Sequence, residues 1–259
     1  MKAKKSLGQH FLKSKSALQA MVSGIDINNT IVEIGPGTGN LTEYILDTGA
    51  KVIAIETDDR VIPVLERRFP EEIKAGRLNI IKADVLETDF SEIVDRSYEV
   101  IANIPYYISG AIFRHVFSSK KLADSVTLLI QKEVANRIVS KDSKESILSI
   151  SIKAYGEPEY IKTVPAKDFS PAPKVDSAIL SVNNITRALF DDNNVKEDDF
   201  FFVLKKGFGQ KRKTLVNNLK NDFAKEDILD FINKNNLSET VRPEEIGVEN
   251  WIKLTKELF

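Results

Sequence analysis

No cysteine occurs among the 259 residues, which rules out disulfides, thiolate nucleophiles and most structural zinc sites. Histidine is nearly as scarce: His10 and His115 are the only two, too few for a histidine-built metal site or catalytic triad, and no metal is expected. Long apolar runs are missing as well. Ser125 to Ile130, among the longest, falls far short of a bilayer span, so no membrane partner is expected. The basic start Met1-Lys2-Ala3-Lys4-Lys5 leads into no apolar stretch, which argues against a secretory leader and for a cytoplasmic protein. Chemistry is left to Asp, Glu, Asn, aromatic rings and backbone groups.

A hydrophobic share of 42% against 29% charged residues supplies a core for one large domain, or for a medium domain with a small one. A net charge of −1 does not announce a nucleic-acid binder, but the charges are uneven. Lys2, Lys4, Lys5, Lys13 and Lys15 crowd the start with no acid among them, and Lys205, Lys206, Lys211, Arg212 and Lys213 form a second cluster. Between them lie Asp191-Asp192 and Glu197-Asp198-Asp199. Such runs read either as solvated faces or as two basic patches that track phosphates.

The first two-thirds alternates strand and helix patterns. Strands are expected at Thr30–Ile34, Lys51–Ile55, Leu78–Lys82, Tyr98–Ala102 and Ser125–Ile130. Helices are expected after residue 39 and over Arg60–Phe69, Ile112–Phe117 and Glu133–Val139. This rhythm predicts an α/β, Rossmann-like domain: a mainly parallel sheet with ligands at the carboxyl ends of its strands. Past about Val182 a polar connection through the acidic run leads into helical patterns at Phe200–Phe208, Thr214–Leu219, Lys225–Asn233 and Glu249–Leu258. The expected division is residues 1–184 for the α/β domain with its basic arm and 185–259 for a small all-α domain.

Glu33-Ile34-Gly35-Pro36-Gly37-Thr38-Gly39 follows the first of these strands, where glycines let backbone turn tightly and approach a ligand. Its G-x-G-x-G spacing lacks the last glycine of a dinucleotide fingerprint. Glu56 ends the next strand, where a carboxylate can take ribose hydroxyls, and Asp84 ends the third, where one can accept from an adenine amine. Either acid alone also reads as a helix cap or a surface carboxylate.

Asn103-Ile104-Pro105-Tyr106 ends the fourth strand. An exocyclic amine on an aromatic base has its lone pair delocalised into the ring and is a poor nucleophile. An acceptor pair, the Asn103 side-chain oxygen and the Ile104 carbonyl, could hold it pyramidal and stabilise the charge that develops on it. Tyr106 is placed to stack on a base taken out of its helix. Phe169, ahead of Pro171 and Pro173, could close on the other face of that base, with Lys174 in reach of phosphate; it also reads as a core phenylalanine.

Together these residues resemble the small-subunit ribosomal RNA adenine N6-dimethyltransferases, the KsgA group, over nearly the whole chain. The further motifs are Leu7-Gly8-Gln9-His10-Phe11-Leu12, Gln131-Lys132-Glu133-Val134, Phe169 to Ala178, and Gln210-Lys211-Arg212-Lys213-Thr214-Leu215. The resemblance implies a class I methyltransferase domain using S-adenosylmethionine and no metal. It implies that His10, Leu12, Gly35, Gly37, Glu56, Asp84 and Asn103 contact the donor. Asn103, Ile104, Pro105, Tyr106 and Phe169 would hold the target adenine, and Lys4, Lys5, Lys174, Lys211, Arg212 and Lys213 would bind RNA. The implied reaction dimethylates two adjacent adenosines in the 3′-terminal hairpin of small-subunit rRNA, within an immature subunit; a monomer is the default expectation, since the sequence carries no signal of oligomeric state.

Tyr107 stands where the family usually has Asn, Gly110 where Thr is common, and His10 where Asn is frequent; none removes a proposed catalytic group. Two alternatives remain at the level of sequence. One is a large-subunit rRNA methyltransferase of the macrolide-resistance type, which Val175-Asp176-Ser177-Ala178 disfavours because that group usually has Asn for the Asp. The other is a non-catalytic rRNA-binding assembly factor, which the intact set of Gly35, Glu56, Asp84, Asn103 and Tyr106 disfavours.

Overall fold

The computed structural model describes residues 10–139 and 144–259. Lys4, Lys5 and the Leu7-Gly8-Gln9 portion of the first motif lie outside the described residues. The chain divides into two compact units, one running to Asn136 and resuming over Glu157–Ile185, the other made of Arg137–Gly156 and Thr186–Phe259. The excursion over residues 137–156 has no counterpart in the sequence division at 184/185.

The first unit contains β1 (Phe11–Leu12), β2 (Thr30–Ile34), β3 (Lys51–Glu56), β4 (Leu78–Lys82), β5 (Tyr98–Ala102) and β6 (Ser125–Gln131), then β7 (Glu157–Val164), β8 (Phe169–Ser170) and β9 (Ser177–Asn183). Its seven-stranded sheet has the order β4-β3-β2-β5-β6-β9-β7. The five strands from β4 to β6 are parallel, and β9 runs antiparallel to both β6 and β7. Every residue of β2 and β5 is buried, as expected of central parallel strands covered on both faces. Register pairs Ile34 with both Ile55 and Ala102, and Glu56 with Lys82, so β2 to β5 end abreast and their following loops share one edge.

Helices α1 (Lys15–Val22), α2 (Asn40–Asp47), α3 (Ile62–Arg68), α4 (Pro70–Lys74), α5 (Phe90–Ile93) and α6 (Ser109–Phe117) complete the layers. Their apolar faces meet the sheet: Leu18 and Met21 of α1 and Ile45 and Leu46 of α2 share one buried cluster with Ile31, Val52 and Ile101. The chain crosses between the units within α7 (Lys132–Val139). Strands β7 and β9 extend the sheet beyond the sequence expectation. β7 reads Glu-Pro-Glu-Tyr-Ile-Lys-Thr-Val with a bulge between Tyr160 and Lys162, a polar, irregular edge strand that carries no clean alternation.

The second unit is helical: α8 (Ile147–Tyr155), α9 (Ala188–Asn193), α10 (Glu197–Gly207), α11 (Leu215–Leu219), α12 (Lys225–Lys234) and α13 (Val248–Leu258). They close on Phe200, Phe231 and Trp251, all fully buried. Two pieces of the expected polar connection are helix. Asp191 and Asp192 lie within α9, and Glu197, Asp198 and Asp199 form the first turn of α10, where carboxylates face the positive end of the helix dipole. No described helix is long and apolar enough to cross a membrane.

Candidate active site

The loops after β2, β3, β4 and β5 line a cavity of about 310 Å³ in the first unit, within the size range of small-molecule sites. The glycine loop forms its floor. The Gly35 N–H donates to the Ile55 carbonyl at 2.9 Å, tying the loop to β3, and the Gly39 N–H donates to the Pro36 carbonyl at 2.9 Å, closing the turn. Gly39 sits at φ +83°, and a β-carbon there would come within 2.6 Å of the Phe69 ring. At Gly37, φ +55°, a β-carbon would crowd the Phe11 ring at 3.2 Å. Arg68 braces the loop from α3, donating to the Thr38 carbonyl at 2.6 Å and to Asn40 Oδ1 at 3.0 Å.

Three acids stand along this edge. Glu56 is 7% exposed, and its Oε1 accepts from the Thr57 and Asp58 amides at 2.8 Å each. Among the described residues its Oε2 has only a long contact, 3.4 Å, from the Gly37 N–H, so this oxygen is the one free to meet a ligand. Asp84 is exposed, and its Oδ1 accepts from the Leu86 amide at 2.9 Å, capping the short 3-10 turn Val85–Glu87. The cap and the cavity role weighed as rivals from sequence are compatible, because Oδ2 is not used by the cap. Glu33, only 1% exposed, lines the cavity from within β2 and accepts from Thr42 Oγ1 at 2.6 Å. Burial pushes its pKa up to about 8, with the Thr42 hydrogen bond opposing and the neighbouring Glu56 charge adding to the rise.

At the far side Asn103 leaves β5 half-buried, and its side chain makes no hydrogen bond among the described residues. Ile104 beside it is 6% exposed. Tyr106 is fixed by a 2.5 Å hydrogen bond between its hydroxyl and Ser177 Oγ, and its ring stacks on His10 with centroids 6.4 Å apart at 18°. Burial raises the Tyr106 pKa, so the phenol stays protonated at neutral pH. His10 Nδ1 lies 2.7 Å from the Pro171 carbonyl and must donate, because a carbonyl only accepts. The β1–β8 ribbon, pairing Phe11 with Ser170 and Leu12 with Phe169, brings the start of the described chain and the 169–171 segment to the same wall.

The structure therefore gathers His10, Leu12, Gly35, Gly37, Glu56, Asp84, Asn103, Ile104, Pro105, Tyr106 and Phe169 around one cavity. Phe169 is 5% exposed and packs within the same apolar cluster as Leu12, Leu18 and Leu41, so only part of its ring borders the cavity. Lys174 is exposed in the first unit; Lys211, Arg212 and Lys213 are exposed between α10 and α11 of the second. Two partners escaped the sequence reading. Glu33 was visible only as a strand residue ahead of the loop, and the Ser177 hydroxyl that holds Tyr106 lies 71 positions away, with no local signal. Tyr107, noted as a departure, stands 73% exposed at the cavity rim.

The donor set suits S-adenosylmethionine: two carboxylates at consecutive strand ends for amine and hydroxyl groups, and a glycine loop that lets a ligand approach the backbone. The family profile described as ribosomal RNA adenine dimethylase matches residues 1–258. A ribosomal RNA small subunit methyltransferase A of Dehalococcoides mccartyi is 37% identical over 263 residues, covering 99% of this chain and 89% of that protein. The protein of that name in Fusobacterium nucleatum is 36% identical over 260 residues, covering 98% and 97%. Among solved structures, a dimethyladenosine transferase from Plasmodium falciparum superposes with a TM-score of 0.77 at 27% identity, covering 95% of this chain and 96% of that one. The 23S rRNA methyltransferase ErmE shares the fold, with a TM-score of 0.76 at 20% identity over 96% and 99%. The chain belongs to the ribosomal RNA adenine dimethylase family.

Proposed function

We propose that this protein transfers methyl groups from S-adenosylmethionine to the N6 amines of two adjacent adenosines in the 3′-terminal hairpin of small-subunit rRNA, acting as a monomer on an immature subunit. The observation that carries the reading is Asn103: an amide without a hydrogen-bond partner among the described residues, at a strand end, facing the same cavity as the glycine loop, Glu56 and Asp84. Relatives at 34–37% identity bear the small-subunit name. The large-subunit alternative has a likeness of fold alone.

Asp84, through Oδ2, accepts from the donor's adenine amine. Glu56, through Oε2, accepts from its ribose hydroxyls, while the Thr57 and Asp58 amides hold the carboxylate in place. When bound, the donor supplies an electrophilic methyl on a sulfonium sulfur. Asn103 Oδ1 and the Ile104 carbonyl accept hydrogen bonds from the N6–H groups of the target adenine, two before the first methylation and one before the second, hold the nitrogen pyramidal and offset the positive charge it gains. No strong base is required, because the methylated amine sheds a proton to water afterwards. Tyr106, anchored by Ser177, and the exposed part of Phe169 flank the base. Lys174, Lys211, Arg212 and Lys213, with Lys4 and Lys5, contact phosphates.

The test is methyl transfer from labelled S-adenosylmethionine to small and large subunits from cells that lack the activity, read by mass spectrometry of the RNA. Dimethyladenosine at two adjacent small-subunit positions, reduced at least ~100-fold in Asn103→Ala, is the expected result. Labelling of the large subunit, or of neither, would overturn the reading.

A further inference from the structure

Glu33 has no part in the scheme above, yet it is a buried carboxyl in the wall of the donor cavity. We propose that Glu33 is the counter-charge that separates the cationic methyl donor from its neutral by-product, giving up a proton to solvent when S-adenosylmethionine enters and regaining one once the methyl has left. The inference rests on the reading of the site as a donor pocket.

Strand order supplies the geometry. β4, β3, β2 and β5 lie side by side and end abreast, so Asp84, Glu56, Glu33 with the glycine loop, and Asn103 follow one another along one edge. A donor held by its adenine at Asp84 and its ribose at Glu56 would extend along this edge past β2 and Glu33 towards Asn103, all of which line the one cavity. The groups around Glu33 are otherwise uncharged or acidic. In register it faces Ala54 of β3 and Ile101 of β5, Thr42 donates to it from α2, and the nearby charge is Glu56. No cationic side chain pairs with it among the described residues. A buried carboxyl in that setting keeps its proton at neutral pH, in line with the pKa of about 8.

A fixed positive charge arriving beside it reverses the balance. The carboxylate becomes the favoured form, and the proton leaves to solvent. S-adenosylhomocysteine keeps the α-ammonium but has no sulfonium, so the part of the attraction that ionises Glu33 through the sulfur is present for the donor and missing for the by-product. The carboxyl thus spares the empty pocket a buried charge and still presents an anion to the donor. It also favours release of the spent cofactor, since that part of the attraction ends with methyl transfer.

Isothermal titration of the whole protein in buffers of different ionisation enthalpy counts the protons exchanged on binding. Comparing wild type with Glu33→Gln cancels proton exchange by the ligand's own amino group. With S-adenosylmethionine at neutral pH, wild type is expected to release about one proton more than the variant; with S-adenosylhomocysteine the two should match. The preference for donor over by-product should fall ~10–100-fold in the variant. Wild-type affinity for the donor should tighten as pH rises towards about 8, over a range where the variant stays flat by comparison. If the variant does not fold, infrared difference spectra of the wild type serve instead, where a protonated carboxyl band must vanish on adding the donor and persist on adding the by-product. Equal proton counts in wild type and variant, or a band that persists with both ligands, would refute the role of Glu33. Failure of both proteins to bind S-adenosylmethionine at all would instead refute the donor-pocket reading.

Discussion

Replacing Gly39 by alanine adds one methyl group at a position where backbone and neighbours both resist it. Gly39 precedes α2 with φ +83°, a conformation that costs a residue with a β-carbon about 1–2 kcal/mol. The new carbon would meet the Phe69 ring at 2.6 Å and Leu65 Cδ2 at 3.0 Å, with Leu65 fully buried and Phe69 6% exposed. Neither neighbour has room to swing away, and forcing an extra carbon into a packed core costs typically ~1–3 kcal/mol. Together the two effects predict a loss of roughly 2–5 kcal/mol, a large share of the ~5–15 kcal/mol that holds a domain folded. Urea unfolding followed by circular dichroism measures it, and the unfolding slope should stay unchanged. The companion Gly37→Ala, with its nearest contact at 3.2 Å, should lose less stability. A Gly39→Ala protein within ~1 kcal/mol of wild type, or one more stable than Gly37→Ala, would refute the reasoning.

Glu33 gives stability a definite dependence on pH. Its folded pKa of about 8 lies above the ordinary carboxyl value of 4.5, so between the two the folded state holds a proton that the unfolded state has lost. The unfolded form is then favoured increasingly as pH rises through that window, and the effect levels off above about 8. Glu33→Gln should remove this slope and be the more stable protein at alkaline pH; parallel urea curves for the two proteins across the window would count against it. Tyr106→Phe removes the hydrogen bond to Ser177 but keeps the ring, so about 1 kcal/mol of stability should go while turnover persists. Tyr106→Ala should raise KM by roughly 5–150-fold, the worth of one stacked base, and equal KM values for the two variants would remove Tyr106 from base recognition. Lys211→Glu with Arg212→Glu should weaken small-subunit binding and flatten its salt dependence, leaving donor affinity intact; an equal fall in donor affinity would make the segment structural.

The five parallel strands were legible because central parallel strands are buried on both faces and so appear as unbroken apolar runs, as in Thr30–Ile34 and Tyr98–Ala102. The antiparallel pair at the other side was not. β7 alternates acids, lysine and proline at the sheet edge, and β9 holds two serines in buried positions that only its partners explain. The helices α9 and α10 were obscured where acids occupy their turns, since carboxylates suit a helix start as well as a loop. The strand-end residues that border the cavity could be located because each follows its own strand. Residues that act through a fold-wide contact could not: the pairing of Leu12 with Phe169 and of Tyr106 with Ser177 exists only after the sheet has closed.

The β1–β8 ribbon has a consequence for the order of events during synthesis. His10 and Pro171, joined by a 2.7 Å hydrogen bond, are 161 residues apart, yet both segments form one wall of the cavity. A nascent chain that has emerged past Asn103 already carries the glycine loop, Glu56, Asp84 and Asn103, but still lacks the strand that pairs with Phe11 and Leu12. The pocket is thus finished late in translation, when Ser170 becomes available, and chains that stop short of that point are left with an open, half-built site.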